Sequence, residues 1–200
     1  MALNCSMKES DQPVRKTKRI PRSVLEKMEA EFIQQKLLLD SDNELGLEVM
    51  DKVVNKGRGV KTLKYIKRKE FVCEYAGKLL DSVTAKHKEE TYSKDSSKGC
   101  FMYFFEDKGK KWCIDATDET GRYGRLINHD IISPNLVPKV FRVHDKPRLI
   151  FLAKTDISPN TELSYDYGER NSEIIKAYPW LTNQKKSASQ SSIHEVETTK

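Results

Sequence analysis

The chain has 200 residues, of which 33% are charged and 37% hydrophobic, with a formal net charge of +6. This length suits one domain with flanking segments, and the high polarity predicts that part of the chain is solvated rather than core. No stretch approaches the roughly 18 uninterrupted apolar residues of a membrane span, and the start lacks an apolar core of secretory length. We therefore expect a cytosolic or nuclear protein with no membrane partner.

The four cysteines are scattered through the chain as Cys5, Cys73, Cys100 and Cys113. They form no Cys-x-x-Cys pair, and no histidine stands near them at the spacing of metal ligands. We expect buried or idle thiols and no metal site.

Residues 1–20 are polar and basic, which predicts a flexible arm. Cations are concentrated around the end of this arm, within the eight residues 15–22, as Arg15, Lys16, Lys18, Arg19 and Arg22. Such a segment favours an anionic partner, so contact with DNA or chromatin and a nuclear import signal stand beside a plain solubilising role. Without interleaved aromatic residues, base stacking is not indicated.

A helix is predicted within residues 21–44. Ser23 and Glu26 have the spacing of a capping box at its start. Apolar residues then recur at nearly helical intervals, as Leu25, Met28, Phe32 and Leu39. We expect this helix to pack on the domain, as a surface helix whose role is stability rather than chemistry.

From residue 45 the sequence consists of short apolar runs separated by residues typical of turns. This pattern predicts many short strands, and therefore a mostly β domain of the α+β class over residues 45–168. The predicted strands are 47–49, 60–65, 71–75, 100–105, 111–114, 139–143 and 148–153. A helix is predicted over 82–93, because this stretch is rich in Lys, Glu and Ala and contains no Gly or Pro. A short helix over 172–178 belongs to a closing segment, 169–182, and 183–200 reads as a disordered tail.

Three sequence blocks could carry chemistry. The first, Lys56-Gly57-Arg58-Gly59, joins two predicted strands, and its glycines permit a close approach of backbone to a ligand. An ordinary hairpin loop would also explain it. The second is Asn128-His129, in which the histidine could equally be a satisfied structural residue.

The third block contains Tyr165 and Tyr167, which alternate across Asp166 and would point to one side of an extended strand. Together with Tyr75, near a glycine at the end of another predicted strand, they could line a channel. Simple core packing with satisfied hydroxyls is the alternative.

These blocks, with Glu74-Tyr75-Ala76-Gly77 between the first and the second, resemble the SET-domain protein lysine methyltransferases over residues 47–180. The resemblance implies a fold of several small sheets with a pseudoknot, in which the Asn128-His129 segment passes under the chain that carries the tyrosine block. It also implies transfer of a methyl group from S-adenosylmethionine to lysine. Tyr75, Tyr165 and Tyr167 would then be the catalytic residues.

The resemblance further implies which residues bind the cofactor: Lys56, Gly57, Arg58, Gly59, Phe101, Asn128, His129 and Trp180. In this family the residue at the position of Tyr165 affects how many methyl groups are added, and a tyrosine there resembles the enzymes that stop at one. Many relatives close the site with a zinc-bound cysteine cluster, whereas this chain ends the domain with Tyr178-Pro179-Trp180-Leu181.

That ending, together with the stretches at 99–105 and 113–117, resembles one branch of the family, the histone H4 lysine-20 monomethyltransferases of the PR-Set type. The branch implies a monomeric nuclear enzyme that acts on the H4 tail in nucleosomes. Three departures are Phe101, where the branch has tyrosine, Asp130, where serine usually follows Asn-His, and the segment 131–137, which differs locally. They leave two alternatives open, a non-histone substrate and a chromatin-binding module with weakened catalysis.

Overall fold

The computed structural model describes residues 20–53, 56–95, 99, 101–168, 172, 176, 181 and 182. Within them lie two helices, α1 (Arg22–Leu38) and α2 (Ser82–Tyr92). The strands are β1 (Leu47–Val53), β2 (Gly57–Thr62), β3 (Phe71–Glu74), β4 (Lys78–Asp81), β5 (Met102–Asp107), β6 (Lys110–Asp115), β7 (Asn128–His129), β8 (Leu136–Val143), β9 (Lys146–Ala153) and β10 (Ser164–Tyr165). The predicted α+β class, mostly strands with short helices, is confirmed. Neither helix of this described part is long and apolar enough to cross a membrane.

The strands form four small sheets in the described part of the chain. Two are three-stranded and antiparallel, in the orders β3-β9-β8 and β4-β6-β5, one is the β1-β2 hairpin, and one is the parallel pair β7-β10. All four contribute to one hydrophobic cluster, which includes Val60, Ile114, Phe151 and Tyr165. Burying a side chain such as Phe151 fully contributes roughly 1.5–3 kcal/mol. The sheets are therefore held by a shared core rather than by one continuous ladder.

Local turn chemistry sets the longest hairpin. Val143 pairs with Lys146, and the two residues between them, His144 and Asp145, both have positive φ angles of 46° and 62°. Positive φ at both loop positions is the geometry of a type I′ turn, whose twist matches that of the flanking strands. Strands β4, β7 and β10 were not predicted, since β7 and β10 are only two residues long and β4 has just two apolar residues between charged ends.

The start of α1 differs from the predicted capping box. Pro21 is the N-cap, and its carbonyl accepts hydrogen bonds from the amides of Val24 and Leu25 at 3.1 and 3.2 Å. Ser23 lies inside the helix, and Glu26 instead pairs with the Arg22 Nε at 2.8 Å. The capping-box prediction was therefore wrong, because the proline placed the helix start two residues earlier.

The prediction that α1 packs its apolar face on the domain was also wrong for most of its length. Met28 and Phe32 are 55% and 49% exposed, and Leu37, in the last turn, is the buried residue of the helix. The helix docks by its C-terminal end because the following connection is anchored. Asp42 in that connection accepts hydrogen bonds from the Arg122 Nε at 3.0 Å and from the Tyr123 amide at 2.7 Å.

Arg122 also connects to strand β3, where its Nη2 donates to Glu74 at 3.1 Å. Arg148 of β9 binds the same carboxylate. These buried charges are mutually paired, as buried charges must be to avoid a large desolvation penalty. The cluster fixes the chain that leads into β7 against both the N-terminal connection and β3.

The other segments predicted outside the domain lie largely beyond the described residues: the arm at 1–20, the helix at 172–178, the closing segment at 169–182 and the tail at 183–200. Their boundaries stay predictions.

Candidate active site

Strands β7 and β10 bring two of the predicted blocks side by side. Asn128 pairs with Ser164 and His129 with Tyr165 in a parallel register, and the Asp130 amide donates to the Tyr165 carbonyl at 3.0 Å. Residues 36 positions apart in sequence thus become neighbours.

The chain reaches β7 by passing very close to the end of β3. A Cβ built on Gly124 would lie 2.1 Å from the carbonyl oxygen of Glu74. No side chain fits at this distance from backbone, so glycine is required here. Gly124 was not singled out from the sequence, although it lies in the segment that ends in Asn128-His129. Its close approach also brings the residue after Glu74, Tyr75, to the same part of the molecule.

Four tyrosines form a continuous array of rings, which we call the tyrosine cluster: Tyr75, Tyr103, Tyr165 and Tyr167. The ring centroids are 5.5 Å apart for Tyr75 and Tyr103, 6.1 Å for Tyr103 and Tyr165, and 4.6 Å for Tyr165 and Tyr167. Phe151 of β9 supports the array, 4.6 Å from Tyr165. The structure therefore brings the three predicted tyrosines together and adds Tyr103, which the sequence analysis missed within an aromatic-rich strand.

The environment keeps the phenols of Tyr103, Tyr165 and Tyr167 protonated by raising their pKa values. Burial raises the pKa of Tyr165 well above its ordinary value and also raises the pKa of Tyr167. Burial, with a smaller effect of the Asp166 charge, raises the pKa of Tyr103. Although Tyr167 as a whole is 38% exposed, its hydroxyl points inward and donates to the Ile127 carbonyl at 2.9 Å. These groups can accept or donate hydrogen bonds but do not act as phenolate bases at neutral pH.

The glycine-rich block is not a free loop. Lys56 lies in a turn, and Gly57–Gly59 begin β2. A Cβ on Gly59 would lie 2.7 Å from Val53 Cγ2 and 2.9 Å from Asn128 Nδ2, so glycine permits close packing of β2 on Asn128. The block therefore contacts the Asn-His block through its backbone.

Glu162 joins the same region and was not predicted as a site residue, although it lies only three residues before Tyr165. Its Oε1 accepts a hydrogen bond from Asn128 Nδ2 at 3.0 Å and lies 3.7 Å from Lys56 Nζ. Asn128 Nδ2 also donates to the Arg58 carbonyl at 3.2 Å. Lys56, Arg58, Gly59 and Asn128 are thus gathered as the resemblance implied, with Glu162 at their centre.

His129 is buried and hydrogen-bonded at both ring nitrogens. The Tyr167 amide donates to its Nδ1 at 3.1 Å, and its Nε2 lies 2.9 Å from the Leu181 carbonyl. An amide can only donate and a carbonyl can only accept, so Nδ1 is unprotonated and Nε2 carries the hydrogen. These bonds are those of a satisfied structural histidine, which was one of the two interpretations of the sequence.

Phe101 lies on Arg125. The Arg125 Cζ is 3.8 Å from the Phe101 ring centroid, which is a cation–π geometry, and the Arg125 Nε donates to the Ala116 carbonyl at 2.7 Å. Phe101 thus packs on the segment that leads to Asn128. The remaining predicted residue, Trp180, falls outside the described residues, while its sequence neighbour Leu181 is buried.

Asp130 takes the capping role that a serine could take. Its Oδ1 accepts hydrogen bonds from the amides of Ile132 and Ser133 at 2.8 and 2.9 Å. The carboxylate is therefore engaged in a local turn next to β7.

The geometry suits two kinds of ligand group in two neighbouring regions. The tyrosine cluster offers neutral hydroxyls and aromatic walls, which suit an uncharged amine on an aliphatic stem. The region around Asn128 combines an amide with two cations that are each paired with a carboxylate, Lys56 with Glu162 and Arg58 with Glu119, and such charged groups suit a polar ligand that carries both an ammonium and a carboxylate. Within the described part of the chain, no group of three or more His, Cys, Asp or Glu side chains could hold a metal ion.

Known proteins are similar to this chain in both sequence and fold. The SET domain family matches residues 57–168. The "N-lysine methyltransferase KMT5A" of Xenopus tropicalis is 44% identical over 171 residues, 86% of this chain and 50% of that protein. The "Histone-lysine N-methyltransferase set-1" of Caenorhabditis elegans is 45% identical over 155 residues, 78% of this chain and 64% of that protein. The chain thus spans about half to two thirds of the length of these relatives.

A solved structure agrees. The crystal structure of CpSET8 from Cryptosporidium has a TM-score of 0.63 and 36% sequence identity, covering 76% of this chain and 70% of that one. The family match covers more than half of the chain. The chain therefore belongs to the SET-domain family.

Proposed function

We propose that this protein is a histone-lysine N-methyltransferase that transfers a methyl group from S-adenosylmethionine to a lysine of a histone tail. Monomethylation of histone H4 lysine-20 is the specific reaction that we favour. The relatives whose names include "N-lysine methyltransferase" and "Histone-lysine N-methyltransferase" support the class of reaction.

The tyrosine cluster is the observation that carries this proposal. Only an unprotonated lysine amine has the lone pair that attacks a methyl carbon. A free lysine has a pKa of about 10.4, so deprotonation at pH 7 costs roughly 4–5 kcal/mol. A buried site disfavours the ammonium form and lowers that cost. Neutral phenols suit this task better than a carboxylate, which would stabilise the ammonium.

Each tyrosine has a separate proposed role. Tyr165 is buried in the centre of the cluster, where its hydroxyl would orient the amine and limit the space beside it. Tyr167, fixed by its bond to the Ile127 carbonyl, would form one wall. Tyr75, also buried, would form the opposite end of the ring array with Tyr103.

The residues around Asn128 fit S-adenosylmethionine. Lys56 is paired with Glu162 and Arg58 with Glu119, so either cation would have to share or exchange its carboxylate partner to bind the carboxylate of the cofactor. Asn128 uses its Nδ2 on Arg58 and Glu162, which leaves its Oδ1 as an acceptor for an ammonium group. Together with Gly57, Gly59, Phe101, His129 and Trp180, these are the proposed cofactor-binding residues. When bound, the cofactor supplies an electrophilic methyl group on a cationic sulfur.

We further propose that the protein works as a monomer in the nucleus, on the H4 tail in nucleosomes. The basic arm at 1–20 would add contact with nucleosomal DNA.

The test is methyl transfer with labelled S-adenosylmethionine to intact nucleosomes, free histones and an H4 tail peptide, with the product resolved by mass. We expect a single added methyl group on H4 lysine-20, lost when that lysine is replaced by arginine. Labelling of another protein in a cell extract, with none on histones, would favour a non-histone substrate.

A binding module without catalysis is the second candidate, motivated by Phe101 and Asp130. Against it, the Asp130 carboxylate is occupied in a local turn and the tyrosine cluster is complete. Heat of S-adenosylmethionine binding and methyl incorporation measured on one preparation separate the two: binding without turnover supports the module, and turnover excludes it.

A further inference from the structure

A rigid basic turn lies at the edge of the domain, away from the tyrosine cluster. Lys67, Arg68 and Lys69 are consecutive and exposed in the connection between β2 and β3. Lys154 is also exposed and follows Ala153, whose carbonyl accepts the Lys69 amide at 2.7 Å. We call these four residues the basic turn.

Backbone hydrogen bonds fix the shape of this turn. The Glu70 amide donates to the Lys67 carbonyl at 3.0 Å, and on both sides the chain is tied to β9 or to Ile157, which exchanges two hydrogen bonds with Ile66. A turn held in this way presents its side chains without first having to be ordered. Preorganised groups lose less conformational entropy when they bind a partner.

The nearby acidic groups are engaged with the backbone of the turn. Glu70 Oε2 accepts the Lys67 amide at 3.0 Å, and Asp156 Oδ1 accepts the Arg68 amide at 2.8 Å. Among the residues that the structure describes, none forms an ion pair with the four cations of the basic turn. The four cations are exposed, and Asp156 is close enough to interact electrostatically with Lys67 and Arg68. Four cations against the two carboxylates of Glu70 and Asp156 leave a local excess of two positive charges.

Lys69, the third cation of the basic turn, has a backbone conformation that favours glycine. Lys69 has a φ angle of +73°, a left-handed conformation that glycine adopts without steric cost and that lysine does not. The turn thus carries an extra positive charge at a position that local backbone preference would give to glycine.

We propose that the basic turn is a docking surface for the phosphate backbone of duplex DNA. Each strand of a duplex carries a phosphate about every 3.4 Å along the axis, and the long, flexible lysine and arginine side chains of one short turn can reach two or three of these phosphates. The turn offers cations but no exposed aromatic side chain between them, which suits backbone contact rather than base stacking.

The position of the turn permits simultaneous contact with DNA and use of the active site. Strand β3 begins two residues after Lys69 and ends just before Tyr75. An extended chain rises about 3.3 Å per residue, which places the basic turn about 20 Å from Tyr75 along the strand. A protein segment held in the tyrosine cluster would leave the turn accessible to adjacent duplex.

The test measures binding of the full chain to a labelled 20-base-pair duplex at several salt concentrations, without cofactor or turnover. The test variant combines Lys67→Gln, Arg68→Gln and Lys69→Gln. The matched control combines Lys108→Gln, Lys110→Gln and Lys111→Gln in the exposed β5–β6 hairpin, where Lys108 also has a positive φ of 50°. Both variants lose three exposed cations, so they have the same net charge and both retain the basic arm.

We expect the turn variant to reduce the slope of log affinity against log salt by about 2, and to bind roughly 100-fold more weakly near 50 mM salt. The hairpin control should change the slope by less than about 0.5. Equal losses in the two variants would show a general effect of net charge and would overturn the proposal. Unchanged DNA binding by the turn variant would overturn the proposal as well.

A single substitution separates charge from folding. Lys69→Gly removes one cation and relieves the left-handed backbone, so we expect a Tm no lower than that of the original protein together with a salt slope smaller by about 0.9. Lys108→Gly is its control and should leave the slope unchanged. An unchanged slope for Lys69→Gly would contradict the assigned contact. Because no step needs S-adenosylmethionine, failure here is distinguishable from failure of the proposed methyltransferase activity.

Discussion

The imidazole of His129 joins the crossing of β7 and β10 to the C-terminal segment, because its Nε2 lies 2.9 Å from the carbonyl oxygen of Leu181. On its other side, Nδ1 accepts the Tyr167 amide at 3.1 Å. This one side chain thus connects Tyr167 of the tyrosine cluster to Leu181, the residue next to Trp180. The cofactor role implied for His129 can therefore be indirect, through the position of these two neighbours.

Two substitutions of His129 can each retain one of its two hydrogen bonds and remove the other. In His129→Asn the Oδ1 can replace Nδ1 as acceptor, whereas in His129→Gln the amide can replace the Nε2 donor. We expect His129→Asn to release the C-terminal segment and raise KM for S-adenosylmethionine about fivefold, the equivalent of one hydrogen bond of about 1 kcal/mol. His129→Gln should retain the segment and chiefly lower kcat.

The position of the segment can be read from Trp180 fluorescence in a Trp112→Phe background, since the chain has two tryptophans. His129→Asn should shift the emission to longer wavelength and His129→Gln should not. Identical spectra and identical KM values for the two variants would contradict this role.

Tyr165→Phe tests the proposed control of product state. Removing the buried hydroxyl opens space beside the amine while the aromatic wall remains, so we expect activity to persist and the product to shift from monomethyl toward dimethyl lysine. Mass spectrometry of the product measures this directly. Tyr92→Phe is a suitable control, because its hydroxyl bonds Asp115 at 3.1 Å outside the tyrosine cluster. Purely monomethyl product from Tyr165→Phe would argue against the assigned position.

Asp115 should make stability sensitive to acid. Burial alone would raise the pKa of its carboxyl, but hydrogen bonds from Lys88 Nζ at 2.8 Å and from the Thr117 amide at 3.1 Å, with others, lower that pKa below its ordinary value. A lowered folded-state pKa gives stability that is fully present above the unfolded value of about 3.9 and is lost as pH falls toward the folded value.

Urea unfolding between pH 3 and 7 tests this. Asp115→Asn should lower the free energy of unfolding by roughly 2 kcal/mol at pH 7, because it removes a buried acceptor of charged hydrogen bonds. The difference from the original protein should shrink below about pH 4. If the difference in unfolding free energy between the two proteins stays constant from pH 3 to 7, Asp115 is not the group that makes stability depend on pH.

Gly124→Ala should disrupt the crossing near β3. The added Cβ would lie 2.1 Å from the Glu74 carbonyl, so the segment leading to β7 must move. We expect a loss of about 3 kcal/mol or more in the free energy of unfolding, measured by urea titration. Gly109→Ala is the control, since its Cβ would meet nothing within 4 Å and its φ of +73° alone should cost about 1 kcal/mol. Comparable losses of unfolding free energy in the two variants would contradict the claim that the contact with the Glu74 carbonyl requires glycine at position 124.

Most of the fold was predictable where the signal is local. The longer strands and α2 follow from apolar runs and helix-forming composition, and α2 begins after Asp81, whose side chain accepts the Val83 and Thr84 amides at 3.0 Å. Strands β7 and β10 were not predictable from pattern, because two residues carry no period and their pairing is set by a remote partner. The exposed face of α1 was mispredicted because spacing does not reveal whether a neighbour is present.

The sequence by itself determined the blocks, their order and the residue types at the candidate site, including Tyr75, Tyr165, Asn128 and His129, because motif spacing and side-chain chemistry are written along the chain. Tertiary structure alone decided that Tyr103 joins the ring array and that Glu162 lies between Lys56 and Asn128. Such contacts join residues that are far apart in sequence. They depend on how the small sheets pack around a shared core, which no local pattern encodes.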